Sequence, residues 1–188
     1  IGCTLLLFAG WELIIIGALC VLFAFLYTTG PYPLSYNGWG DVLVIIFFGF
    51  VPVGGTYYVQ ALTWTPDVTI ASFICGLLID TLLVVNNYRD READARSGKR
   101  TVIVRFGEKF GRYFYLLLGI SASLLCLYFL REGHIYAALL PQLYLVPHVL
   151  TWRRMVKIHS GKKLNSILGE TSRNMLFMGI LLAIGMIL

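Results

Sequence analysis

Asp90 and Asp94 stand four residues apart in the stretch DTLLVVNNYRDREADARSGKRTVIVRFG, which runs from Asp80 to Gly107. On a helix, carboxylates at i and i+4 share one face, and they repel unless a cation lies between them. Hard oxygen ligands suit Mg²⁺, which keeps several waters and is usually shared with substrate phosphates. Asn87, three residues before Asp90, falls on the same face and adds an amide oxygen. Arg89, Lys99, Arg100 and Arg105 supply the cations that a diphosphate requires. In a soluble protein an Asp-x-x-x-Asp pair among basic residues is most often a solvated, salt-bridged helix end. Here it follows an apolar run directly after Asn-Asn, and that setting favours a ligand site.

The elements that must position these groups are membrane spans. The chain has 188 residues, 58% hydrophobic and 13% charged, with a net charge of +5 and a mean hydropathy of +0.77. That is about half the charge of an ordinary soluble domain, which excludes disorder, a disulfide-stapled secreted module and a typical cytosolic enzyme. A span takes roughly 20 apolar residues, and Leu13–Thr29, Asp41–Leu62, Val68–Val85, Tyr113–Leu130 and Ile135–Thr151 qualify or nearly do. Asn174–Leu188 is a short sixth that starts a little earlier. Ile1–Gly10 is apolar but too short to cross. The expected fold is all-α, a multi-pass transmembrane bundle of about six spans plus part of another.

Charge placement gives the expected topology. No Lys or Arg precedes Arg89; eight fall between Arg89 and Arg112 and six between Arg153 and Arg173. Two spans separate these basic segments, so both lie on one side, which the positive-inside rule makes cytoplasmic. Counting back places the turn-rich connector Gly30–Gly40 there too. A broad, solvated basic face of the kind that binds nucleic acid is not expected. Cys3, Cys20, Cys75 and Cys126 sit inside apolar runs, and His134, His148 and His159 are isolated, so neither set suggests a disulfide or metal framework.

The run NNYRDREADARSGKRT resembles the second aspartate-rich motif of the UbiA-type membrane prenyltransferases, and most closely that of the branch acting on 1,4-dihydroxy-2-naphthoate in menaquinone synthesis. That branch carries N-N-x-R-D-x-x-x-D-x-x-x-G-K-x-T, matched by Asn86, Asn87, Arg89, Asp90, Asp94, Gly98, Lys99 and Thr101. GPYPLSYNGWGDVLVIIFFGFVPVGGTYYVQ is similar to the family's fourth and fifth helices. The resemblance implies a nine-helix bundle with two such motifs on cytoplasmic loops. This chain has the second alone, on the segment 86–112, and begins at Ile1 rather than Met. Residues 1–188 are therefore expected to be the C-terminal two thirds of a single prenyltransferase domain, with turnover belonging to the intact parent.

The same resemblance implies the chemistry. Asp90 and Asp94, helped by Asn87 and less directly by Asn86, would bind Mg²⁺ on a polyprenyl diphosphate, with Arg89, Lys99, Arg100 and Arg105 contacting that diphosphate. The aromatic acceptor would be 1,4-dihydroxy-2-naphthoate, losing CO₂ to give demethylmenaquinol, in the plasma or inner membrane with the site facing the cytoplasm. In such a fold Asp41 and Tyr27 would approach the acceptor, Asp41 as a base or hydroxyl partner; a helix N-cap is the alternative for Asp41. Tyr27, Tyr32 and Tyr36 could hold the aromatic ring or stabilise cationic character, though such residues are more often interfacial aromatics. Asp80, deep in its span, is costly there and so a candidate functional residue, roughly on the face of Asn87 and Asp94; a protonated carboxyl or one hydrogen-bonded to a neighbouring helix is the slightly preferred reading, and Tyr57, Tyr58 and Gln60 read as packing.

Three rivals remain. CDP-alcohol phosphotransferases share D-x-x-x-D, but LLIDTLLVVNNYR lacks the preceding half of their signature. A transporter would spread ionisable residues along the spans, where Asp80 is the one clear case. Within the superfamily, 4-hydroxybenzoate is the competing acceptor.

Overall fold

Long apolar runs broken at Gly, Pro and Thr fold as a helical bundle in the computed structural model, which describes residues 10–188. The expectation for Ile1–Gly10, apart from its last residue, and Cys3 lie outside the described residues. The helices are α1 (Glu12–Thr28), α2 (Gly40–Ala61), α3 (Pro66–Arg96), α4 (Val102–Leu130), α5 (135–158) and α6 (Asn165–Ile187). Of the described helices, four are long and apolar enough to cross a membrane: α2, α3, α4 and α6 with its preceding turn from Lys162. The other two expected spans are α1, with 17 residues, and α5, which is interrupted.

The interruptions follow from the residues. Pro141 sits in a 3₁₀ segment, Leu140–Tyr144, that breaks α5. The middle of α2, Ile45–Gly54, is wound as a π-helix and contains Pro52, which has no N–H to give to a helical ladder. α4 begins eleven residues before the expected Tyr113, with a break at Gly107 (φ 87°). The apolar period alone hides this start, because residues 102–112 carry charge.

Two devices matter for the site. α3 opens on Pro66 with Thr65 accepting from the Val68 N–H at 3.3 Å, and it runs unbroken through Asn86, Asn87, Asp90 and Asp94. It ends at Gly98 (φ 78°), where the Lys99 N–H caps the Asp94 carbonyl at 2.9 Å, the left-handed glycine stop common at helix ends. Thr101 then caps α4 through the Val104 N–H. The segment 86–112 is thus the end of α3, a short turn and the start of α4. Second, α2 and α3 approach at Gly49 and Gly76, where a Cβ on Gly49 would stand 2.5 Å from the Ser72 carbonyl oxygen; small residues let helix backbones touch in this way.

Away from that contact, two apolar clusters hold the bundle, one around Ile74, Phe129 and Met178 and one around Val84, Tyr115 and Ile167. Buried polar pairs join the later helices: Tyr115 with Thr171 at 3.0 Å and Asn174 with Thr151 at 2.9 Å. His148 is fully buried between the rings of Tyr115 and Tyr144. Its Nε2 lies 3.2 Å from the Leu116 carbonyl and its Nδ1 2.9 Å from the Tyr144 hydroxyl, which sets Nε2 as donor and Nδ1 as acceptor.

Candidate active site

Past its apolar stretch, α3 presents Asn87, Asp90 and Asp94 at i, i+3 and i+7, on one face as their spacing requires. Asn87 is buried. Asp94 directs Oδ1 toward Lys99 Nζ at 3.5 Å, while its Oδ2 is buried with no donor among the described residues. A carboxylate oxygen without a partner is costly, and a cation there would satisfy it. Asp90 is gripped by Arg89, Nε to Oδ1 at 2.7 Å and Nη2 to Oδ2 at 2.5 Å. That hydrogen-bonded guanidinium holds the Asp90 carboxyl below the usual carboxylate range. Arg89 also donates to Asn86 Oδ1 at 2.7 Å and to Asn165 Oδ1 at 3.0 Å, tying the motif to the start of α6.

Among the described residues no group of three His, Cys, Asp or Glu side chains converges. What the motif offers is two carboxylates and an amide, all hard oxygen donors. Such a partial set fits Mg²⁺, whose remaining positions go to water and phosphate oxygens.

Beside the motif lies a cavity of about 290 Å³, whose lining includes Tyr27, Tyr36, Asp41, Leu83, Asn86, Asn87, Lys99 and Thr101. The structure therefore brings five of the expected site residues, Tyr27, Asp41, Asn86, Asn87 and Lys99, around one space. Lys99 links it to the acidic motif, because the same side chain faces Asp94. Asp41 is buried in the first turn of α2, which it does not cap: the capping position is Trp39, with no side-chain bond. The N-cap alternative for Asp41 is thereby removed. Among the described residues, Asp41 Oδ1 has no donor, nor does either oxygen of the fully buried Asp80. The two carboxyl groups face each other across the contact of α2 with α3, one turn from where a Cβ on Gly76 would stand 2.9 Å from Ile45 Cα.

One wall is the connector between α1 and α2, pinned at both ends. Ser35 Oγ donates to the Tyr27 carbonyl at 2.6 Å, and the Arg100 N–H donates to the Tyr36 carbonyl at 2.7 Å. Arg105 donates to the carbonyls of Asn37 (2.6 Å) and Arg100 (3.1 Å). Arg100 and Arg105 do not line the cavity; Arg105 serves as a clamp on the connector. Ser35, Leu83 and Thr28 line the space without having been expected there, since an isolated Ser, Leu or Thr carries no pattern. A separate network, Glu108 with Arg112, Arg91, His159 and the Tyr88 hydroxyl, binds α3 to α4 and to the end of α5. The connector, the turn after α3 and the segments flanking Asn165 and His159 thus all meet at one end of the bundle, as the charge distribution predicts.

A model of the UbiA prenyltransferase family matches residues 1–186. The 1,4-dihydroxy-2-naphthoate octaprenyltransferase of Escherichia coli (strain K12) is 40% identical over 124 residues, 66% of this chain and 39% of that protein. The protein of the same name from Mycobacterium tuberculosis (strain ATCC 25618 / H37Rv) is 40% identical over 65% of this chain and 42% of its own length. UbiA prenyltransferase domain-containing protein 1 of Dictyostelium discoideum is 29% identical over 92% of this chain and 51% of its own. The matches thus take in about half or less of these relatives. No solved structure matches.

Proposed function

We propose that this chain, which belongs to the UbiA prenyltransferase family, is the part of an integral membrane enzyme that transfers a polyprenyl group from polyprenyl diphosphate to 1,4-dihydroxy-2-naphthoate, with loss of CO₂. The observation that carries this reading is the cavity that joins Tyr27 and Asp41 to Asn87 and Lys99, with Lys99 touching the acidic motif. The names of the relatives favour naphthoate as acceptor. The charged end of the bundle would face the cytoplasm from the inner membrane.

Asp90, Asp94 and Asn87 would hold Mg²⁺, which when bound neutralises diphosphate charge and improves it as a leaving group. Lys99, which lines the cavity, would take a diphosphate oxygen, with Arg89 second and Arg100 further out. Such preorganised cations stabilise the charge that develops as the allylic C–O bond breaks and the diphosphate departs with the electron pair. Tyr27 flanks the acceptor ring. Asp41 accepts the proton of a ring hydroxyl as the adjacent, carboxylate-bearing ring carbon bonds to the prenyl group and the ring oxygen becomes a carbonyl. Loss of the ring carboxylate as CO₂ sends electrons back to that oxygen, and Asp41 returns the proton.

Membranes containing the intact protein, given a long prenyl diphosphate with and without Mg²⁺, test the reading. Dihydroxynaphthoate and 4-hydroxybenzoate are offered separately and products are weighed by mass spectrometry. Mg²⁺-dependent prenylated naphthoquinol lacking the carboxylate is the expected result. Product from 4-hydroxybenzoate alone would keep the chemistry and change the acceptor; no product from either would overturn it.

A further inference from the structure

We infer that Asp80 is a positioning residue for the aromatic acceptor, hydrogen-bonding Asp41 so that the Asp41 carboxyl is aimed into the cavity at an acceptor hydroxyl. The inference rests on the aromatic prenyltransferase reading above. Asp80 is fully buried and no N–H or O–H from any other described residue reaches its oxygens. A carboxyl group in an apolar span is costly unless it is paired. Its neighbour is Asp41: a Cβ on Gly76 would stand 2.9 Å from Ile45 Cα, and one turn nearer the cavity on these two antiparallel helices Asp80 and Asp41 face each other, while none of the ion pairs among the described residues involves either group.

Two carboxylates can only accept, so the pair is satisfied when one O–H lies between them. That bond fixes the rotamer of Asp41, the member that lines the cavity. Asp80 sits one turn deeper along α3 than Leu83, which lines the same space, so the pair stands at its inner wall. The close approach of α2 and α3 at Gly49 and Gly76 holds the two helices, and hence the two carboxyls, at fixed separation. A hydroxylated aromatic ring entering the cavity meets a carboxyl oxygen whose direction is already set, and less freedom is lost on binding.

The test uses the intact protein in membranes. Asp80→Asn keeps a donor toward Asp41 through its amide, whereas Asp80→Leu removes it at similar volume, with Asp80→Ala as the smaller alternative if the leucine variant does not accumulate. Expected is a rise of about tenfold in KM for dihydroxynaphthoate in Asp80→Leu, no change in KM for the prenyl diphosphate, and recovery to within about threefold in Asp80→Asn; tenfold corresponds to about 1.4 kcal/mol. An acceptor KM at the wild-type value in the leucine or alanine variant would overturn the inference. So would a parallel rise in both KM values without rescue by asparagine, which marks a merely structural role. If the wild type prenylates 4-hydroxybenzoate instead, the same comparison is read with that acceptor; a wild type that prenylates neither overturns the functional reading and this inference with it.

Discussion

Arg105 on α4 donates to the carbonyl of Asn37 at 2.6 Å, so the turn that follows the acidic motif is fastened to the connector between α1 and α2. Two stretches separated by two helices in the chain therefore behave as one wall of the cavity. Arg105→Ala should release the connector, exposing residues 30–40 to limited proteolysis and lowering turnover several-fold. Arg105→Lys, which cannot reach two carbonyls with a planar fork, should fall between. Wild-type protease resistance in Arg105→Ala would show that the clamp is dispensable and return Arg105 to the list of diphosphate contacts.

Gly38 sits inside the same clamp with φ at 80°, and a Cβ there would stand 3.0 Å from the Arg100 carbonyl oxygen. Gly38→Ala should cost about 1–2 kcal/mol from the left-handed backbone alone, read as a lower melting temperature of the purified protein in detergent.

Asp94 and Asp90 differ in how they are held, and their variants should differ accordingly. Asp94 Oδ2 has no donor among the described residues, so Asp94→Asn should fold normally and lose turnover by about a hundredfold or more, the scale seen when one preorganised charge contact is removed. Asp90→Asn weakens the grip of Arg89, and should lower turnover as far while also loosening the Asn165 contact. Near-normal product from either variant in the intact protein would sink the metal assignment. Chelation of Mg²⁺ should abolish product and its return should restore it.

Much of this was legible in the sequence because α3 is a single helix. The spacing of Asn87, Asp90 and Asp94 is a local property, and so is their shared face. The matched motif residues point to Lys99 for the same reason. The sequence groups Arg100 and Arg105 with Lys99 as cations, yet α4 starts at Val102 and turns Arg105 toward backbone carbonyls of the connector. Which cation serves substrate and which serves structure depends on a contact 68 residues away in sequence, and no local pattern records it. Which residue Asp80 faces is hidden likewise: the sequence points to a neighbouring helix, and that the facing residue is Asp41 follows only from the contact of Gly76 with Ile45 and Gly49.

That glycine contact gives the sharpest stability test. The atoms a Gly49 Cβ would strike are backbone, the Ser72 carbonyl oxygen at 2.5 Å and Gly76 Cα at 2.9 Å, so no side chain can swing aside to make room. Gly49→Ala should therefore push α2 from α3 and destabilise the protein by about 1–3 kcal/mol, the usual cost of overpacking. Because α2 carries Asp41 and α3 carries Asp80, turnover should fall too. Gly55→Ala is the control on the same helix: nothing lies within 4 Å of its Cβ, and alanine is favoured over glycine in a helix by about 0.8–1.0 kcal/mol. Thermal unfolding of both variants in detergent should lower the midpoint for Gly49→Ala and leave it unchanged or higher for Gly55→Ala. Equal midpoints for the two would mean that α2 and α3 do not meet as closely as their glycines allow.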